Sequence, residues 1–153
     1  MKAVVQRVLG AGVTVDGNEI SRIQKGYMIL VGVMDDDTPE DIDILAKKVS
    51  SLRVFEDENG KMNRDIKDVD GEILAVSQFT LCADVKKGNR PSFVRSGDPT
   101  RANEYYEEFC QKLKEYGVKD VKKGIFGADM KVDLINDGPV TIIYDTEIWV
   151  KRC

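Results

Sequence analysis

The sequence predicts an α+β fold: a strongly curved antiparallel or mixed β-sheet, barrel-like, with two helices. Three observations carry that prediction. Many short runs are β-branched or alternate apolar with polar residues. Only two segments repeat apolar residues at helical spacing. Strands and helices do not alternate in the regular way that builds a parallel sheet. At 153 residues the chain fits a single domain spanning 1–153 around one core.

The elements follow in order. Lys2 to Leu9 is rich in valine and alternates, which reads as a strand. Val13 to Val15 and Glu19 to Ile23 flank Asp16-Gly17-Asn18, a hairpin signal because glycine accepts the positive φ of the turn. Gly26 opens the apolar run Tyr27 to Val33, which suits a buried central strand. Asp35-Asp36-Asp37 invites a metal reading, but Thr38-Pro39-Glu40-Asp41 follows at once. Threonine caps, proline takes the first turn and acids favour the positive end of the dipole, so the run reads as a solvated helix start. Ile42, Leu45, Ala46, Val49 and Leu52 form the apolar face of that helix.

Arg53 to Phe55 reads as a short strand, Asp57-Glu58-Asn59-Gly60 as a turn, and Met62 to Asp70 as polar and irregular. Glu72 to Phe79 reads as a strand, and Cys82 to Gly97 as a long loop of the kind that often carries function. Asp98-Pro99 opens the second helix, whose apolar face is Ala102, Tyr105, Tyr106, Phe109, Leu113 and Tyr116, with Gly117 as its stop. Aromatics at that spacing read as core. Val121 to Phe126, Met130 to Ile135, Val140 to Asp145 and Glu147 to Lys151 read as closing strands.

Composition narrows the chemistry. The chain has no histidine, so any reaction runs without the commonest acid/base residue and the commonest metal ligand. The net charge of −4 argues against a surface that is basic overall but leaves room for a local basic patch. Cys82, Cys110 and Cys153 are odd in number, widely spaced and form no metal-binding pair, so they read as reduced thiols of a cytoplasmic protein. The first residues are too interrupted for a signal peptide, and the apolar run Tyr27 to Met34 is far too short to span a bilayer. No cofactor or metal is expected.

Two segments look like a reaction centre: Ser77-Gln78-Phe79-Thr80-Leu81 and Asn136-Asp137-Gly138-Pro139-Val140-Thr141. Ser77, Gln78 and Thr80 offer two hydroxyls and an amide, all uncharged. On a continuing strand Ser77 and Phe79 would point one way and Gln78 and Thr80 the other. If the strand breaks near Phe79, the N–H groups of Phe79 and Thr80 are free to hold an oxyanion. The bland reading is a strand edge. A nucleophilic Ser77 or Thr80 would need a base, and the nearby Lys86 and Lys87 lie in a basic loop where they stay protonated. Binding, orientation and oxyanion stabilisation of an already activated ester therefore fit best. Gly138-Pro139 reads either as a plain turn or as a rigid pair of carbonyls facing a substrate. The loop between the motifs carries Lys86, Lys87, Arg90 and Arg95 against the single acid Asp84, which suits phosphates or an ordinary solvated loop.

Together these residues resemble the D-aminoacyl-tRNA deacylase family, the D-tyrosyl-tRNA deacylases of older naming. The resemblance rests on the opening Met1-Lys2-Ala3-Val4-Val5-Gln6-Arg7-Val8, the Ser77–Leu81 segment, Asn89-Arg90-Pro91-Ser92-Phe93, Gly127-Ala128-Asp129-Met130 and the Asn136–Thr141 segment. It covers essentially the whole chain, the tail from Asp145 to Cys153 being less characteristic. It implies the deacylase-like fold and a homodimeric hydrolase that cleaves the ester joining a D-amino acid, and possibly glycine, to the terminal adenosine of tRNA. It implies a cis Gly138-Pro139 bond, inserted into the partner's site beside the Ser77–Thr80 segment, where its carbonyls would exclude an L side chain. It gives Phe79 and Thr80 the oxyanion role, Ser77 and Gln78 the terminal nucleotide, and Arg7 and Met130 a place at the substrate with Gly138 and Pro139. Lys86, Lys87 and Arg90 would meet acceptor-stem phosphates. Thr80 is a positioner or a nucleophile. Two other readings compete: a small-molecule esterase using Ser77 or Thr80, and a non-catalytic tRNA-binding module.

Overall fold

The computed structural model describes residues 1–150. Strand β1 (Lys2–Val15) runs unbroken through what the sequence divides into a strand and half a hairpin. It turns at Asp16-Gly17, both at positive φ, into β2 (Asn18–Ile23), with Val15 opposite Asn18. The hairpin therefore closes where Asp-Gly predicts it. β1 is long enough to serve three neighbours. Its first half pairs antiparallel with β3 (Gly26–Gly32), its second half with β2, and its other edge with the long β8 (Lys131–Asp145).

The rest of the sheet is parallel. β3 pairs with β6 (Glu72–Ser77), and β6 with β7 (Asp120–Lys123), giving the order β2-β1-β3-β6-β7. The sheet is thus mixed. It curls until β2 meets β7: Ser21 Oγ donates to Lys123 O at 2.5 Å and Lys122 Nζ to Arg22 O at 2.7 Å. β4 (Phe55–Glu56) and β5 (Met62–Arg64) form a small separate hairpin, placing a short strand inside the stretch that reads as irregular.

Helix α1 (Pro39–Ser50) starts at Thr38, as the capping residues predict. Asp41 reaches back and accepts from the Thr38 N–H at 2.9 Å. Helix α2 (Pro99–Glu115) is capped by Asp98, which accepts from Arg101 N at 3.2 Å, and ends before Gly117 at φ +103°. The two helices pack together on one face of the sheet.

Strand alternation divides the apolar residues into two groups. Tyr27, Ile29, Val31, Ile73 and Ala75 point at the helices and meet Ile42, Leu45, Val49, Tyr106, Phe109 and Leu113. Met28, Leu74 and Val76 point the other way, into the curl, and meet Val8, Ala11, Val13 and Ile23. A strand buried on both faces needs a continuous apolar run, which is what Tyr27 to Val33 supplies.

Three expectations need correction. The acidic run is not simply solvated: Asp35 and Asp36 pair with Arg95 at 3.0 and 3.3 Å, and Asp37 is buried. Met130 to Ile135 and Val140 to Asp145 are parts of one interrupted strand, because an edge strand can carry a proline and resume. Thr146–Ile148 forms a 3-10 turn where a strand from Glu147 is expected, and Lys151 lies outside the described residues, as does Cys153.

The cysteines give a direct check on the core. Burial pushes the Cys110 thiol up to about 12 and also raises Cys82. Both are therefore thiols near neutral pH, and native protein at about pH 8 should leave them unalkylated by iodoacetamide, with labelling only after denaturation. Rapid modification of Cys110 in the native state, read by peptide mass spectrometry, would contradict this packing.

Candidate active site

Strand β6 ends at Ser77, two residues before the sequence suggests. Gln78 N still donates to Val31 O at 2.7 Å, continuing the ladder by one step. The chain then tightens into a 3-10 turn, Phe79–Cys82, whose first donor is Leu81 N to Gln78 O at 3.3 Å. The N–H groups of Phe79 and Thr80 precede that donor and are left for an outside acceptor. The turn lies against Gly32: a Cβ there would stand 3.0 Å from Leu81 Cβ and 3.1 Å from Gln78 O. The missing side chain eases this close approach to β3.

The early break changes where the side chains go. Gln78 and Thr80 do not project side by side from a strand. The Gln78 amide instead donates to the Thr80 hydroxyl, which fixes both. Phe79 is 57% exposed, and its ring meets the edge of Phe93 at 5.0 Å. That contact draws the end of the long loop back onto the motif.

Two cavities open beside this turn. The larger, about 510 Å³, is mostly apolar and is walled by Phe79, Phe93, Phe126, Ser96, Gly97 and Ala102 among others. The second, about 310 Å³, is more polar and is lined by Gln78, Asp129, Met130 and neighbours. Ser77, Phe79, Phe126 and Gly127 border both. The structure thus joins Ser77, Gln78, Phe79 and Met130 at one place. It adds Phe93, Ser96 and Phe126, which sequence reasoning did not place at the site. Phe126 was legible only as the end of a strand; Gly127, at φ +77°, turns the chain there.

The long loop is more ordered than its composition suggests. Asp84 and Ser92 exchange backbone bonds at 2.8 and 2.9 Å, leaving Lys86, Lys87 and Arg90 exposed on the tip. Arg95 is already held by Asp35 and Asp36, so the free positive charge is smaller than the sequence implies.

The second motif lies elsewhere in the same chain. Between Gln6 opposite Thr141 and Val8 opposite Asn136, Arg7 alone faces the segment 137–140, which bulges from the edge. The Gly138–Pro139 peptide is cis, with Gly138 at φ +120°. Arg7, 7% exposed, donates from Nε to Asp137 O at 3.1 Å and from Nη1 to Val54 O. Its ion pair with Asp137, at 3.6 Å, is longer and half open to water. Register places the two motifs far apart. Arg7 aligns with Tyr27 and Ile73, whereas Ser77 aligns with Val31 and Ala3. That is about 13 Å along the strands and about 14 Å across them. Gly138 and Pro139 border neither cavity.

Comparison with known proteins gives this arrangement its family. The family model for D-Tyr-tRNA(Tyr) deacylase matches residues 4–145. The chain belongs to the D-Tyr-tRNA(Tyr) deacylase family. A D-aminoacyl-tRNA deacylase of Bacteroides fragilis is 55% identical over 147 residues, covering 96% of this chain and 98% of that protein. One from Flavobacterium johnsoniae is 53% identical over 148 residues, with the same coverage. Among solved structures, a c-Myc DNA Unwinding Element Binding Protein superposes with a TM-score of 0.89 at 46% identity, covering 95% of this chain and 98% of that one. A structure described as "a probable eukaryotic D-amino acid tRNA deacylase" shares the fold, with a TM-score of 0.79 at 17% identity. The family match spans both motifs and the basic loop. No described helix is long and apolar enough to cross a membrane.

Proposed function

We propose that this chain hydrolyses the ester between a D-amino acid and the 3′-terminal adenosine of tRNA, as a homodimer in the cytoplasm. The observation that carries the reading is the break after Ser77: the Phe79 and Thr80 N–H groups precede the first donor of the turn, and Phe79 borders two adjoining cavities, although Thr80 itself lines neither. Such a pair suits the oxyanion that forms when water adds to an ester carbonyl. An aminoacyl ester is already activated, and the 2′-hydroxyl of the terminal ribose can assist the attack, so a site without histidine suffices. With its hydroxyl engaged by Gln78, Thr80 acts as a positioner rather than a nucleophile. The larger cavity, walled by phenylalanine rings, has the size and polarity for an adenine base, and Ser77 and Gln78 hold the nucleotide beside it.

Chiral choice needs a second copy. The Gly138-Pro139 segment is exposed on an edge strand and too far from Ser77 of its own chain to meet the same substrate. Supplied by the partner, its carbonyls would crowd an L side chain and leave a D side chain room, so many D-amino acids and glycine would be accepted. Arg7 sets the direction of the Asp137 carbonyl and, through it, of the segment. Ile135 and Ile143, exposed on β8, supply apolar surface for such an interface.

The test is hydrolysis of D-tyrosyl-tRNA and L-tyrosyl-tRNA side by side with chelator present. Release from the D-substrate is expected to be at least about 100-fold faster, or about 2.7 kcal/mol in barrier height. Equal cleavage of both would overturn the exclusion mechanism. Cleavage of neither, with tRNA still bound, would favour a binding role such as the one named for the DNA unwinding element relative.

Lys86, Lys87 and Arg90 make no ion pair among the described residues and are available to phosphates. Replacing all three by alanine should weaken tRNA binding evenly across tRNAs. If each neutralises one phosphate, the slope of log K against log salt should fall by about 2–3. An unchanged slope would remove the loop from the tRNA interface.

A further inference from the structure

The long loop carries apolar surface that the chemistry above does not use. Phe79, Val85 and Val94 are exposed by 57, 72 and 79%. Singly, such residues are ordinary; where they are contiguous they mark a binding surface.

The Asp84–Ser92 bridge makes part of this surface contiguous. The two residues pair antiparallel, so Ala83 stands opposite Phe93 and Val85 opposite Pro91. Side chains alternate about such a bridge. Asp84 and Ser92 therefore take one face of the ribbon, and Phe93, Val85 and the exposed Pro91 take the other. Asp84 turns its carboxylate back on its own backbone, accepting from Lys86 N at 2.9 Å. The apolar face joins the active site through Phe93, whose ring meets that of Phe79 at 5.0 Å. Both rings wall the larger cavity. A strip thus runs from the cavity mouth over Phe93 to Val85 and Pro91, and ends at the cations of the tip, Lys86, Lys87 and Arg90. The diagonal from Phe93 to Val85 is about 7–8 Å, the depth of two bases stacked at about 3.4 Å each. Val94 leaves the ribbon in the turn closed by Ser96 N to Phe93 O at 3.0 Å and is not part of the strip.

We propose that this strip is a subsite for the single-stranded nucleotide that precedes the terminal adenosine, its base lying on Phe93 and Val85 and its phosphate toward the cations of the tip. The inference rests on the deacylase reading, which puts the terminal base in the larger cavity. An apolar wall beside free positive charge suits unpaired nucleic acid: the wall takes the base faces and the cations take the backbone. Bases within a duplex have their faces covered, so the strip fits the unpaired tail rather than a paired stem. Stacking does not read base edges, so either pyrimidine should be accepted.

The experiment compares the D-tyrosyl esters of adenosine and of cytidylyl-adenosine as substrates, and titrates the same two compounds without the amino acid. The dinucleotide ester is expected to have a KM about tenfold lower at similar kcat, the effect of one stacked base. Val85→Ser should erase most of that gain and leave the adenosine ester unchanged. Val85 is exposed, so the substitution leaves the core intact. Val94→Ser, which removes exposed apolar surface off the strip, should change neither substrate. Equal KM for the two esters, or a Val85→Ser loss shared equally by both, would overturn the proposal. So would a Val85→Ser protein that keeps the gain but dissociates in sedimentation, which would give the strip to a second copy of the chain.

Failure of the function is read separately. Absence of hydrolysis of both esters and of D-tyrosyl-tRNA would refute the deacylase reading, and the titration would still decide the strip. Cytidylyl-adenosine bound about tenfold more tightly than adenosine, with the difference lost in Val85→Ser, supports it. Equal affinities overturn it.

Discussion

Gly26→Ala is expected to leave little or no folded protein. Gly26 sits where three strands align, opposite Val8 in β1 and Glu72 in β6. Its φ is +157°, and an added Cβ would stand 1.8 Å from Glu72 O and 2.7 Å from Glu72 N. Those atoms cannot step aside cheaply. Glu72 N donates to Lys25 O at 3.0 Å, and Glu72 Oε2 accepts from Gln24 N at 2.7 Å. The methyl must therefore part β3 from β6 at the centre of the sheet. A loss above about 4 kcal/mol is expected, a large share of the whole stability of an ordinary domain. Gly17→Ala is the control. Gly17 also has positive φ, but nothing lies within 4 Å, so about 1 kcal/mol is expected. Urea denaturation of the two variants decides it, and similar small losses would show that the strand crossing yields.

Arg7→Ala should act on stability and chirality together. Arg7 is buried and spans two carbonyls, Val54 O on one side and Asp137 O on the other. Removing it leaves Val54 O without this donor and opens a gap, for a loss of about 2–4 kcal/mol. The ion pair with Asp137 contributes little to that figure, since Asp137 is half exposed and the separation is 3.6 Å. The second effect concerns direction. Freed from Arg7, the Asp137–Pro139 segment no longer presents fixed carbonyls, so cleavage of L-tyrosyl-tRNA should rise relative to the D-substrate by about tenfold or more. Arg7→Lys should not restore it, because a single ammonium cannot replace a planar fork that spans two acceptors. A destabilised Arg7→Ala protein with its full preference for D would detach Arg7 from discrimination.

The parts of the fold that sequence reasoning reached share one property: their causes are local. Asp16-Gly17 can only turn, and Thr38-Pro39 and Asp98-Pro99 can only start helices. The unbroken run from Tyr27 to Val33 reports burial on both faces. The misreadings share the opposite property. Nothing within Glu72 to Phe79 marks Ser77 as the last strand residue. The turn that ends it packs against Gly32, far away in sequence, whose missing side chain eases the approach to β3. Asp37 looked like one more solvated acid at a helix start. In the fold it is buried, accepting from Met34 N and from the Met1 nitrogen, which is far from it in sequence.

The sequence by itself determined the fold class, the two motifs and the family, because turn residues, capping residues and apolar periodicity act over a few positions and survive in one dimension. The tertiary structure alone decided which residues share a site. Ser77 to Phe79 meet Phe93, Phe126 and Met130 only because β6, the long loop and the turn before β8 end at the same rim of the curled sheet. Gly138-Pro139 is kept from that rim by register, since four residue steps along β3 separate the strand partners of Arg7 from those of Ser77. Pairing register fixes distance across a sheet, and it depends on every strand between the two motifs rather than on either motif.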